Sequence, residues 1–276
     1  MAENPLKVPQ DRRVWDIFSA HFRLHRDVPP LTRLRELVTA FAQLPYENLT
    51  KILKADECGS PERSRRHPAE VVADHLAYGA GGTCFSLTAT LLHLVRSLGW
   101  RAEPLLADRR YGENTHCALL VWLEGQPHLI DPGFLILDPI PLDTSQEVRV
   151  PTAFNELVLS PRSDERLLEL STISQGRRTY RLTFKTSPAE ESEFLGAWDA
   201  SFDWDMMNYP VLTRMDGGRQ LYLQGGRFQT RSLAGVERME VPPGEATRRI
   251  TAAFGLDPRL VARALATLRR HGDDYG

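Results

Sequence analysis

The stretch from Gly79 to Thr88, GAGGTCFSLT, sets three glycines and a cysteine directly ahead of an apolar, periodic run. Phe85, Thr88, Leu91, Leu92, Val95 and Leu98 recur at helical spacing, so a helix begins at or near Cys84, and Gly99 stops it in the left-handed cap position. Glycines before a helix let the backbone approach a ligand closely, and the first N–H groups of the helix stay free to face an anion. A thiolate placed there gains roughly 0.3 to 1 kcal/mol from the helix dipole, against about 1.4 kcal/mol per pKa unit. The dipole alone therefore moves a thiol by less than a unit, and a nucleophile at Cys84 needs a basic or cationic partner.

Working outward, residues 115–134, THCALLVWLEGQPHLIDPGF, read as a β-hairpin around Glu124-Gly125. A two-residue turn sets Leu123 opposite Gln126. Counting back along both strands then places His116 opposite Gly133, with Asp131 as its diagonal neighbour on the same face. A slip of one residue would send the two to opposite faces. The register predicts a triad in which His116 activates Cys84 and Asp131 fixes the imidazole tautomer. Each residue also has a plainer reading: an inert buried cysteine, a strand histidine, a turn-forming aspartate. Cys117, which alternates away from His116 in an apolar strand, fits the inert reading better than Cys84 does.

The rest of the chain supplies the frame. Val14, Ile17, Phe18 and Phe22, then Leu31, Leu34, Leu37, Val38 and Phe41, mark two amphipathic helices. Residues 57–67, ECGSPERSRRH, read as a surface loop, and Pro68 opens a third helix running to about Tyr78. Short Leu-, Val- and Ile-rich segments after Trp100 predict strands, joined by others at 179–185 and 219–224. The C-terminal segment returns to helix, with Asp257 as N-cap, Pro258 in the first turn and Gly272 as the stop.

Composition limits the function. The 276 residues are 42% hydrophobic and 25% charged, which excludes wholesale disorder, and the formal charge of −2 gives no basic field for nucleic acid. MAENPLKVPQDRRVW lacks an apolar leader and no run is long enough to span a bilayer, so a cytoplasmic protein without a membrane partner is expected. Three cysteines, Cys58, Cys84 and Cys117, suit neither a disulfide framework nor a metal clip, and no metal is expected.

LPYENL (44–49), GGTCF (81–85), THCALLV (115–121) and HLIDPGF (128–134) together resemble the arylamine N-acetyltransferase family, in order and over most of the chain. The resemblance implies Cys84 as acyl-accepting nucleophile, His116 as base and Asp131 as orienter. It implies an α+β fold: an N-terminal helical bundle (1–99), a central antiparallel β-barrel (100–200) and a C-terminal α/β lid (201–276), related to transglutaminase-like and papain-like cysteine enzymes. The implied co-substrate is acetyl-coenzyme A or another acyl thioester, and the implied partner a small-molecule amine. Related activities are an amide synthase fed by an acyl carrier protein and a cysteine hydrolase; a binding protein without turnover is a further alternative.

Departures from the family pattern are local. Ala80 stands where the family has arginine, Ser86 where it has glutamate, Thr88 where it has asparagine and Leu135 where it has glycine. These replacements leave Glu47 without its usual charge partner. Arg63, Arg65, Arg66, Arg109 and Arg110 read as solvated surface residues in preference to phosphate ligands. Glycines 217, 218, 225 and 226 read as turns, and Trp198, Phe202, Trp204 and Tyr209 as core packing.

Overall fold

Glu124 and Gly125 both take positive φ, 51° and 81°, the type I′ geometry whose twist matches that of its flanking strands. The computed structural model describes residues 4–25, 27–162 and 166–272. Helices α1 (Arg13–His21) and α2 (Pro30–Phe41) come first, then strand β1 (Tyr46–Glu47). Four more helices follow: α3 (Leu49–Cys58), the single turn α4 (Pro61–Ser64), α5 (Pro68–Tyr78) and α6 (Cys84–Ser97). Strands β2 (Ala102–Arg109), β3 (Gly112–Leu123), β4 (Gln126–Asp131), β5 (Ile136–Pro141), β6 (Val148–Pro151), β7 (Glu156–Pro161), β8 (Leu167–Ser174) and β9 (Arg177–Lys185) form the middle of the chain. Helix α7 (Glu191–Ala200) leads to β10 (Val211–Asp216), β11 (Arg219–Gln224), β12 (Arg227–Ser232) and β13 (Gly235–Glu240), and the chain ends in α8 (Ala246–Phe254) and α9 (Pro258–Arg270).

The expected central barrel is an open, curled sheet. Its eight antiparallel strands run β5-β4-β3-β2-β9-β8-β7-β6, which leaves β5 and β6 as edges. The curl brings Leu105, Leu120 and Leu129 into one core with Leu157, Leu168 and Leu182 from the far strands. On the opposite face Leu106, Leu119, Val121 and Ile130 pack against the helices, so alternation along β3 serves two cores. Helix α6 lies between, and every side chain from Cys84 to Leu92 is buried, as expected of a helix apolar on all sides.

A second antiparallel sheet, β1-β10-β11-β12-β13, takes its first strand from the N-terminal third. Leu49 and Ile52 of α3 share a core with Leu212, Leu223, Phe254, Val261 and Leu265, so α8 and α9 are packed onto the same helical region that holds the thiol.

Helix α5 has the predicted bounds, and β11 spans the predicted 219–224. In α9 the Asp257 carboxylate accepts from the N–H groups of Arg259 and Leu260, and Gly272 takes φ 100°. Residues 57–67 are a different matter. Helix α3 runs to Cys58, α4 adds a turn, and Ser64 and Arg66 are buried. This segment is turn-rich in composition but is held by contacts distant in sequence, so its predicted reading as a surface loop is incorrect. Leu135, the residue in place of the family glycine, takes φ 60°, a left-handed conformation that glycine adopts without strain. No helix among the described residues is long and apolar enough to cross a membrane.

Candidate active site

The glycines ahead of Cys84 serve close packing as well as access. A Cβ at Gly81 would lie 1.8 Å from the Pro45 carbonyl oxygen, and one at Gly82 would lie 2.3 Å from Ser86 Oγ. Gly82 bridges Tyr46 in parallel, and Glu47 N–H donates to its carbonyl at 2.9 Å. The loop is thus clamped onto β1, and α6 leaves it with no side chain capping its N-terminus.

Glu47 keeps a charge partner, contrary to the expectation from Ala80. Arg66, 2% exposed, places Nη1 3.7 Å from Glu47 Oε1. The same guanidinium donates to the Gly81 carbonyl at 2.5 Å and to Asp74 Oδ2 at 2.7 Å. An arginine from the segment before α5 therefore braces the cysteine loop. Arg65 pairs with Asp199. The reading of these two as solvated surface arginines is overturned; Arg63 and Arg110 are exposed.

The hairpin register is as predicted, with Leu123 opposite Gln126 and Leu119 opposite Ile130. Beyond Ile130 the ladder opens, and His116 and Asp131 meet on the same face: His116 Nε2 donates to Asp131 Oδ2 at 2.6 Å, both side chains fully buried. Asp131 Oδ1 accepts from Gly133 N–H at 2.9 Å and Phe134 N–H at 3.0 Å. One carboxylate oxygen of Asp131 thus caps the turn and the other meets the imidazole. Cys84 closes the group, since a Cβ at Gly133 would meet His116 Cε1 at 2.8 Å, Asp131 Oδ1 at 3.2 Å and Cys84 Cβ at 3.5 Å. All three side chains surround one point.

Electrostatics follow the geometry. The Cys84 thiol is held well below the ordinary thiol value by the adjacent Cys117 thiol and by hydrogen bonding to His116 and its charge, against burial. Burial disfavours charge on His116, but the Asp131 carboxylate outweighs it and raises the imidazole pKa. Cys117 moves the other way, pushed well up by burial and by Cys84. Its sulfur donates to Thr88 Oγ1 at 3.4 Å, consistent with its inert reading.

A family model described as N-acetyltransferase matches residues 30–260. The chain belongs to the arylamine N-acetyltransferase family. The arylamine N-acetyltransferase of Nocardia farcinica superposes with a TM-score of 0.78 at 22% identity, covering 95% of this chain and 100% of that one. The Mycobacterium marinum enzyme in complex with CoA gives 0.74 at 18% identity, covering 92% and 98%. An arylamine N-acetyltransferase from Bacillus cereus, described as having a unique Cys-His-Glu catalytic triad, gives 0.70 at 16% identity, covering 89% and 99%. No curated protein matches the chain by sequence.

Around this site lie two cations whose placement the sequence does not disclose. A register shift between Ala107 and Arg109 turns Arg109 inward, so that Nη2 lies 3.1 Å from His116 Nδ1 and Nη1 donates to Tyr111 at 2.6 Å. Its reading as a solvated surface residue is overturned as well. Lys51, 3% exposed, donates from Nζ to the carbonyl and the hydroxyl of Ser201, both at 2.6 Å, and lies 4.3 Å from the Phe202 ring centroid. Burial pulls its pKa to about 7. Trp198 stacks on Phe85 in the core. Beside His116 a cavity of about 330 Å³ opens, lined by Tyr46, Arg109, Gly133, Phe134 and both sheets.

Proposed function

We propose that this chain transfers an acyl group, acetyl in the first instance, from coenzyme A through a thioester on Cys84 to an arylamine, hydrazine or related amine. The observation that carries the reading is the buried contact of 2.6 Å between His116 and Asp131 beside a thiol at the start of α6. The Cys84 thiolate attacks the thioester carbonyl carbon. The carbon–sulfur bond to coenzyme A breaks, and the departing thiolate takes the proton of the His116 imidazolium. The amine nitrogen then attacks the acyl carbon, the bond to Cys84 breaks, and neutral His116 accepts the amine proton. Asp131 keeps the imidazole in the tautomer both steps need. The backbone N–H of Cys84 and a neighbouring N–H at the uncapped helix start supply the oxyanion donors.

In this reading residues 1–99 carry the nucleophile, 100–200 the base and its orienter, and 201–276 cover the cleft. Family membership and the coenzyme A complex of the Mycobacterium marinum relative support coenzyme A as the donor. Initial rates with acetyl-coenzyme A and an arylamine, each varied against the other, are expected to give parallel double-reciprocal lines. Intersecting lines would mean direct transfer without an acyl-enzyme.

A further inference from the structure

Arg65, Arg66 and Arg96 each meet a carboxylate. Arg109 has no such partner among the described residues. Its backbone N–H donates to Thr115 Oγ1 at 3.1 Å, Nη1 donates to Tyr111 at 2.6 Å, and its guanidinium carbon lies 5.5 Å from the Phe134 ring centroid. Its buried Nε has no hydrogen-bond partner, and Nη2 lies 3.1 Å from His116 Nδ1. Burial disfavours the guanidinium charge, but Tyr111 and the Cys84 thiolate outweigh it. The anion that faces this cation is therefore the nucleophile itself.

The contact at Nδ1 bears on a protonation state. His116 Nε2 is committed to Asp131 at 2.6 Å, so Nδ1 is the atom that releases and takes the proton during transfer. A guanidinium has donors and no acceptor, so Arg109 attracts a bare Nδ1 and repels a protonated one. The charged groups facing the ring are Asp131 from β4, Cys84 from α6 and Arg109 from β2. Phe134 and Phe184 of β9 also pack on it, with centroids 5.2 and 6.4 Å from its own. Cys84 in turn faces Cys117 and Tyr46, both held neutral by burial, and the charge of Lys51.

Charge balance across this cluster separates the two halves of the reaction. In the free enzyme thiolate and imidazolium, carboxylate and guanidinium cancel. Acylation turns the thiolate into a neutral thioester, and a cluster with His116 still protonated would carry one net positive charge, which burial penalises. Release of the Nδ1 proton to the departing coenzyme A thiolate restores neutrality. Without Arg109 the balance reverses: the imidazolium and Asp131 alone are already neutral, the ring keeps its proton, and a protonated His116 cannot accept one from the amine. In the acyl-transfer reading above, on which this assignment rests, we propose that Arg109 is a positioning residue for amine attack, which by facing Nδ1 keeps His116 a neutral base in the acyl-enzyme.

Capping Cys84 with methyl methanethiosulfonate tests this without any acyl transfer, because the S-methyl disulfide is small and uncharged like the thioester. The His116 ring is then titrated by nitrogen-15 NMR on histidine-labelled protein, with His116→Gln identifying its signals. In capped wild type the midpoint is expected to lie below that of the uncapped protein, with the remaining proton on Nε2. In capped Arg109→Met it is expected at least about one pH unit higher than in capped wild type, the scale of a like charge in close range. Arg109→Lys, which keeps the charge, is expected to fall between. A neutral ring with its proton on Nδ1 in capped wild type, or equal midpoints in wild type and Arg109→Met, overturns the proposal, and the first of these requires no variant to fold. Single-turnover transfer from acetylated Cys84 to aniline is the kinetic arm. Arg109→Met is expected to be about tenfold slower at pH 6, matching one pH unit, and to recover toward the wild-type rate at pH 9; an equal loss at every pH marks a structural role and overturns the assignment. Shifted midpoints in a protein that never acetylates would remove the acyl-transfer reading alone, and acetylation with unshifted midpoints would remove this assignment alone.

Discussion

A Cβ at position 133 would stand 2.8 Å from His116 Cε1 and 3.2 Å from Asp131 Oδ1, inside the space where the three side chains meet. Gly133→Ala is expected to lower kcat/KM by roughly a hundredfold, the scale of a displacement of about 1 Å in a reacting group, while circular dichroism shows an intact fold. Wild-type kinetics in that variant would mean that the group tolerates displacement. The opposed shifts of Cys84 and His116 make a second prediction. Iodoacetamide should alkylate Cys84 well below the usual thiol range, with pKa about 8.5, because the thiolate persists beside a protonated imidazole. His116→Gln removes that cation, so the inflection should move to higher pH. These three residues were legible in the sequence because a two-residue turn fixes register and a glycine-rich helix start fixes the thiol. Arg109 was not, since a register shift in β2 decides which way it points and β-branching or periodicity does not encode it.

At the scale of elements, the cysteine loop is held from below by Arg66, Glu47 and Asp74. Removing the cation alone leaves the Gly81 carbonyl without its donor and the buried Glu47 carboxylate with only the neutral donors of Thr50. Arg66→Met is therefore expected to cost about 3 to 5 kcal/mol in urea denaturation, whereas Arg63→Met, at an exposed position, should stay within about 0.5 kcal/mol. A small loss at Arg66 would show that the loop is braced elsewhere. Helices α5, α6 and α9 and the β3–β4 hairpin could be read locally, because proline, glycine and apolar spacing bound each of them. The segment 57–67 could not. Its serines, proline and arginines match a solvated loop in composition, and Glu47, Asp74 and the Gly81 carbonyl, brought near by the fold, hold Arg66 in a buried position. Strand β12, with Arg227 and Arg231 among polar residues, and strand β13, with Glu237, Arg238 and Glu240, offered no apolar period to read.

Across the whole molecule, Lys51 ties α3 to the chain that follows α7 through Ser201. Its pKa in the fold is about 7 against an ordinary 10.5, so the unfolded chain binds more protons between those values. The penalty for burying the charge is complete below pH 7 and is relieved as pH rises toward 10.5. The stability of the wild type relative to Lys51→Met should therefore improve between pH 6.5 and pH 9 in paired urea titrations. A difference that is flat with pH would mean that Lys51 stays charged in the fold. The mixed α and β class and the order of helices before sheet were visible in the composition of successive thirds. The open edges of the sheet and the entry of β1 into the C-terminal sheet were not, since pairing between residues 46 and 213 leaves no trace in local pattern.

Intact-mass spectrometry after incubation with acetyl-coenzyme A alone tests the central claim most directly. The wild-type protein is expected to gain one acetyl group, mapped to the peptide containing Cys84, and to lose it on addition of an arylamine; Cys84→Ser should gain no thiol-bound acetyl group. An unmodified wild-type protein, or an acetyl group carried on Cys58 or Cys117, would contradict the account.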